Sequence, residues 1–144
     1  MSLAWSRIGM CQIFQVIHAS MSVRSFHAFI ASSLVGAKYT SAPRLAGQGR
    51  SAGGILIGNA IAERPGLFAA AVINVGGMNP LRFETTANGP PNIPEFGSVK
   101  SEDGFKGLLA MDAYTKIRDG TGYPAVLLTH GINDPRVEPW LSAK

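Results

Sequence analysis

A serine with a glycine two places to either side, Gly49-Arg50-Ser51-Ala52-Gly53, stands where the apolar pattern of the chain changes character. The short run around Leu45 and Ala46 reads as a strand. Beyond the serine, Ile55, Leu56, Ile57, Ala60 and Ile61 have the spacing of a buried helix. Strand, sharp turn and helix in that order hold the serine in a strained conformation, which small neighbours at positions 49 and 53 are expected to permit. A helix starting directly behind Ser51 points unpaired N–H groups and the positive end of its dipole at any charge on a reacting oxygen. The N–H of Ala52 is the natural oxyanion donor. A plain glycine-rich turn would share the pentapeptide, but not the strand and helix on its two sides.

The 144 residues bound a single domain at most, and 46% hydrophobic against 15% charged residues supplies a globular core. The formal charge of +4 comes from dispersed Lys and Arg, without the basic clusters interleaved with aromatics that mark nucleic-acid binders, so none is expected as a partner. No apolar run reaches the roughly 18 residues of a membrane span. The lone Cys11 excludes an intramolecular disulfide and a cysteine-based zinc site, and reads as a small apolar side chain. Residues 1–25 form an N-terminal segment of uncertain origin. Arg7 followed by the apolar stretch Ile8 to Ile17 faintly suggests a signal peptide, but Gln12 and Gln15 interrupt it, which favours an apolar helix or strand, or a non-native start.

Residues 26–144 carry the interpretable pattern. Phe26, Phe29, Ile30, Leu34 and Val35 predict a helix that ends at Gly36 and packs on a sheet. The helix after Ser51 should end near Glu63 and Arg64, because Pro65 disfavours helical geometry before it. Leu67 to Val75 and Ala125 to Thr129 read as second and third buried strands. Between Met78 and Val99, four prolines and Asn88-Gly89 leave no room for a long element, and a loop of this kind in an α/β protein is either a surface crossover or a cover for the site. Glu102 to Ile117 predicts a helix with one apolar face. The polar stretch from His130 to Val137 follows a strand end, where open α/β sheets keep their sites.

Several blocks, Gly49-Arg50-Ser51-Ala52-Gly53-Gly54, Glu63-Arg64-Pro65-Gly66-Leu67-Phe68, Glu95-Phe96-Gly97, Tyr123 to Thr129, Asn133-Asp134-Pro135-Arg136-Val137 and Ser142-Ala143-Lys144, resemble in order and spacing the catalytic domain of the prolyl oligopeptidase family of serine peptidases. The resemblance runs from about Tyr39 to Lys144. It implies a partial α/β-hydrolase fold, a mostly parallel sheet flanked by helices and incomplete at both ends. Ser51 then resembles the nucleophile, Asp134 the triad aspartate, Arg136 the arginine that hydrogen-bonds a substrate carbonyl, and Phe96 an aromatic lining the pocket. A peptide would be the substrate, with no cofactor or metal. Prolyl-specific members present a tryptophan near the position of Asn92, and none stands here, so the resemblance does not extend to a preference for proline.

The triad order in this fold is serine, acid, histidine, and no histidine follows Asp134. His18 and His27 lie ahead of the nucleophile. His130 precedes the aspartate and reads as a strand-end residue rather than a displaced base. Three parallel strands would leave apolar faces and edges open, which predicts self-association. Two other readings share these residues: an esterase or lipase on the same fold, and a non-catalytic α/β module in which Ser51 is only a turn.

Overall fold

The computed structural model describes residues 26–144. The helix α1 (Phe26–Gly36) leads through a short 3-10 turn into strand β1 (Ala46–Arg50), the helix α2 (Ala52–Glu63) and strand β2 (Ala70–Asn74). A run of 3-10 turns and the one-turn helix α3 (Ile93–Phe96) then precede α4 (Glu102–Met111), strand β3 (Ala125–Thr129) and the terminal turn of helix α5 (Trp140–Ala143). The strands lie parallel in the order β1-β2-β3, in the register Gly49↔Ile73↔Leu128.

Alternation along β1 sets how closely a helix can approach. Gly47 and Gly49 are its buried positions, and a Cβ at Gly47 would sit 3.2 Å from the side chain of Ile57. The small residues let α2 lie directly on the sheet. Ala71 and Ile73 of β2 face the same way and join Ile57, Ala60, Ile61 and Phe68 in one core. Ile73 is 1% exposed, and burying an aliphatic side chain so fully contributes roughly 1.5–3 kcal/mol. A second cluster, Ile55 with Leu108 and Met111, ties the far side of α2 to α4 and takes Leu81, Phe83 and Phe96 against it.

Each helix end has a local cause. Before Pro65 the backbone of Arg64 leaves helical geometry, with φ −136° and ψ 61°, so α2 stops there as expected. Ser101 caps α4, its hydroxyl accepting from the Gly104 N–H at 3.2 Å, and Glu102 and Asp103 sit where the dipole favours negative charge.

Four expectations need correction. The helix predicted over Glu102 to Ile117 ends at Met111, because the carboxylate of Asp112 accepts from the Thr115 N–H at 2.9 Å and turns the chain into a 3-10 turn over Tyr114–Lys116. The second strand is shorter than Leu67 to Val75. Leu67 belongs to the turn begun by Pro65, and at Val75 φ reaches 45°, which ends the extended geometry. The third strand has the predicted bounds but is not buried: every residue of β3 is exposed, Leu127 at 57%, since among the described residues it forms the sheet edge and neither of its faces is buried by a helix. Helix α1 packs mainly against α2 and the Pro65–Leu67 turn rather than on the sheet, with Ala31 joining the core that also holds Ala71 and Ile73, and leaves Phe29 58% exposed. The prediction for residues 1–25 lies outside the described residues.

Candidate active site

Ser51 occupies the joint between β1 and α2, with φ 54° and ψ −122°. A positive φ at a non-glycine residue costs on the order of 1–3 kcal/mol and persists only where the surroundings impose it. Here its N–H donates to the Asn74 carbonyl at 2.9 Å, which continues the β1–β2 ladder, while its own carbonyl accepts from the Gly54 N–H at 2.8 Å and opens the helix. Two incompatible backbone geometries meet at one residue, and the side chain is left exposed.

The glycines around it divide the demand differently from the sequence expectation. A Cβ at Gly49 would lie 2.2 Å from the Gly53 carbonyl oxygen, so residue 49 has to be glycine. At Gly53 a Cβ would meet nothing within 4 Å. The second tight position is Gly54, where a Cβ would come within 2.6 Å of the Gly76 Cα. The turn is closed by Gly49 and Gly54, because the helix backbone presses on the strand from which it came and on the end of β2.

A pocket of about 140 Å³ opens beside Ser51. Ser51 and Ala52, Phe96, and Arg136 all line it, so four of the five predicted site residues converge there from β1–α2, α3 and the loop after β3. Phe83 also lines it, edge-on to Phe96 with ring centroids 5.5 Å apart. The proline-rich segment forms one wall of this pocket: Asn88 reaches across to the Arg136 carbonyl at 3.4 Å, and Asn92 is tied to the Asn88 carbonyl at 2.8 Å. Sequence reasoning passed over Phe83. Its signal was an aromatic side chain in the middle of a loop with no helix or strand to bury it.

The fifth residue, Asp134, does not line this pocket. Its Oδ1 accepts from the Arg136 N–H at 2.8 Å and the Val137 N–H at 3.0 Å, so the carboxylate stands behind the turn that presents both residues to the cavity. Those two amide bonds, Val137 first, hold its carboxyl below the usual aspartate range, with smaller help from the charges of His130 and Arg136. Asp134 is an anion at neutral pH. His130 lies at the strand end as expected, with its Nε2 4.0 Å from Asp134 Oδ2. Among the described residues, no group of three or more His, Cys, Asp or Glu could hold a metal ion.

The prolyl oligopeptidase family profile matches residues 16–144. The chain is 34% identical to a prolyl endopeptidase of Dictyostelium discoideum over 122 residues, which cover 83% of this chain and 16% of that protein. To the dual function macrocyclase-peptidase of Galerina marginata it is 34% identical over 125 residues, 85% of this chain and 17% of that one. Among solved structures, a prolyl endopeptidase superposes with a TM-score of 0.74 at 35% identity, covering 91% of this chain and 18% of that one. The oligopeptidase B of Leishmania major gives 0.71 at 30% identity, over 77% and 16%. The chain thus spans about a sixth of the length of the relatives it matches.

Proposed function

The chain belongs to the prolyl oligopeptidase family and carries part of its α/β-hydrolase catalytic domain, and on that premise we propose that it is the nucleophile-bearing portion of a serine peptidase acting on peptide substrates. The observation that carries this is the backbone of Ser51, forced to φ 54° at a strand-to-helix joint and opening onto a pocket shared with Phe96 and Arg136.

In this reading the Ser51 oxygen attacks the scissile carbonyl, the C–N bond breaks as the acyl-enzyme forms, and the hydroxyl proton leaves with the amine by way of a general base. The developing oxyanion receives the N–H of Ala52 in the first turn of α2, where N–H groups have no intrahelical acceptor. Arg136 hydrogen-bonds a neighbouring substrate carbonyl. Phe83 and Phe96 give the substrate side chain an apolar wall, with Asn92 at the rim where a stacking tryptophan would favour proline. Asp134 is the acid that orients the base. That the similar proteins are named as peptidases supports an amide over an ester substrate.

Proton transfer is the step this sequence leaves unserved, since no histidine follows Asp134. Triad members act as a unit, and losing one can cost on the order of a millionfold in turnover. We therefore expect the 144 residues by themselves to hydrolyse peptides barely or not at all. Labelling with a fluorophosphonate probe tests both halves. Labelling should be slow, should rise on adding free imidazole as a substitute base, and should vanish in Ser51→Ala. Rapid labelling without imidazole would overturn the inactivity. Labelling that imidazole leaves unchanged would mean that Ser51 is a turn residue in a non-catalytic module.

A further inference from the structure

His130 is bonded to two polar groups, one of them bonded on to a third, and their hydrogen-bonding roles can be counted. Its Nδ1 lies 3.0 Å from Ser142 Oγ, and its Nε2 lies 2.8 Å from the Val137 carbonyl oxygen. Ser142 Oγ in turn donates to the Gly76 carbonyl at 2.7 Å. Ser142 and Gly76 are both buried, where a polar atom left without a partner is destabilising.

A carbonyl only accepts, and a serine hydroxyl has one proton to give. With that proton on the Gly76 carbonyl, Nδ1 has to donate to Oγ. Facing the Val137 carbonyl, Nε2 has to donate as well. The neutral Nδ1–H tautomer would set the Nε2 lone pair against the Val137 oxygen. The neutral Nε2–H tautomer would take the Ser142 proton and leave the Gly76 carbonyl facing Oγ with no hydrogen between them. Only the doubly protonated ring satisfies all three contacts.

We infer that His130 is an imidazolium and the positioning residue of the Asp134–Val137 turn, clamping it to α5 through Ser142 and to the end of β2 through Gly76. The countercharge faces it from the turn itself, as the Asp134 carboxylate at 4.0 Å. Arg136 and Glu138 are the other charged residues of that segment, and from α5 the Lys144 amine is directed away, over the Trp140 and Tyr114 rings at 4.6 and 5.3 Å and toward Asn79 Oδ1 at 3.4 Å. The clamp grips Val137 on both sides, its carbonyl by His130 and its N–H by Asp134. The two peptides it connects adjoin the pocket, since Val137 and Gly77 both line it. With both nitrogens donating, His130 has no lone pair for a proton from Ser51, so it cannot serve as a displaced base. The inference rests on hydrogen-bond accounting alone and stands whether or not Ser51 is a nucleophile.

Nitrogen-15 NMR of the His130 ring in the 144-residue protein tests it. At neutral pH both ring nitrogens should resonate as N–H, and on raising the pH the backbone amide signals of Arg136 and Val137 should shift with the same midpoint as the ring, while those of α2 stay in place. In Ser142→Ala, Nδ1 loses its acceptor and Gly76 its donor, so the signature of the neutral Nε2–H ring should grow at a given pH. One unprotonated nitrogen in the wild-type protein at neutral pH would overturn the imidazolium. Turn signals that ignore the ring titration would overturn the positioning role, and both readings come from the unmodified chain even if the variant fails to fold.

Discussion

Ser51 carries a conformational cost that its side chain does nothing to relieve. Its φ of 54° is imposed by a ladder bond to Asn74 on one side and a helical bond from Gly54 on the other. Glycine adopts positive φ without a Cβ penalty, whereas alanine shares the penalty of serine. Ser51→Gly should therefore stabilise the fold by about 1 kcal/mol, and Ser51→Ala should leave stability nearly unchanged, as judged by urea unfolding. Equal midpoints for the glycine and alanine variants would show that the turn is relaxed. A stabilising loss of the proposed nucleophile is what a strained functional residue predicts. Val75, with φ 45° at the end of β2, is a second residue in this region held against its preference, and its N–H is fixed by the Thr129 carbonyl at 2.8 Å.

Between elements, short polar networks fix what hydrophobic packing leaves free to slide. The Lys116 amine reaches the Glu63 carboxylate at 2.7 Å, the Ala110 carbonyl at 2.6 Å and the side-chain oxygen of Asn59, joining the end of α2 to the turn after α4. Asn59 is itself buried and bonds the Ile55 and Met111 carbonyls. Removing the amine in Lys116→Met keeps the apolar stem but strands three acceptors, so a loss of about 1–3 kcal/mol is expected in chemical denaturation. A loss under half of that would mean that water replaces the amine. Asp112, at 0% exposure, does the same for the loop ahead of the pocket, accepting from the Asn79 side chain at 2.7 Å and the Leu81 N–H at 3.2 Å. It thereby sets where Phe83 begins. Glu84 continues the tie, since the Ser98 hydroxyl at 2.7 Å and the Lys100 amine lower its carboxyl from the ordinary value.

At the scale of the molecule, α2 covers one sheet face over β1 and β2, where Ala71 and Ile73 are buried, but among the described residues nothing buries β3. Val126, Leu127 and Leu128 are all exposed on an edge strand, a template for pairing with another chain. Sedimentation velocity should show a coefficient that rises with concentration, and Leu127→Lys should flatten that rise. A concentration-independent monomer would refute the expectation. The sequence by itself determined the local sites: Gly49 through Gly53 announced the turn at Ser51, Pro65 the end of α2, and the run Ala125 to Thr129 a strand with its bounds, because each depends on dihedral preferences of a few adjacent residues. It also brought Ser51, Phe96, Asp134 and Arg136 into one reading through a family resemblance. What only the tertiary structure decided depends on partners distant in the chain. Gly54, and not Gly53, is the constrained glycine because Gly76 lies against it; the helix after Glu102 stops early because the Asp112 carboxylate takes a backbone N–H there; and the state of His130 is set by Ser142, Val137 and Gly76, whose convergence no linear pattern encodes.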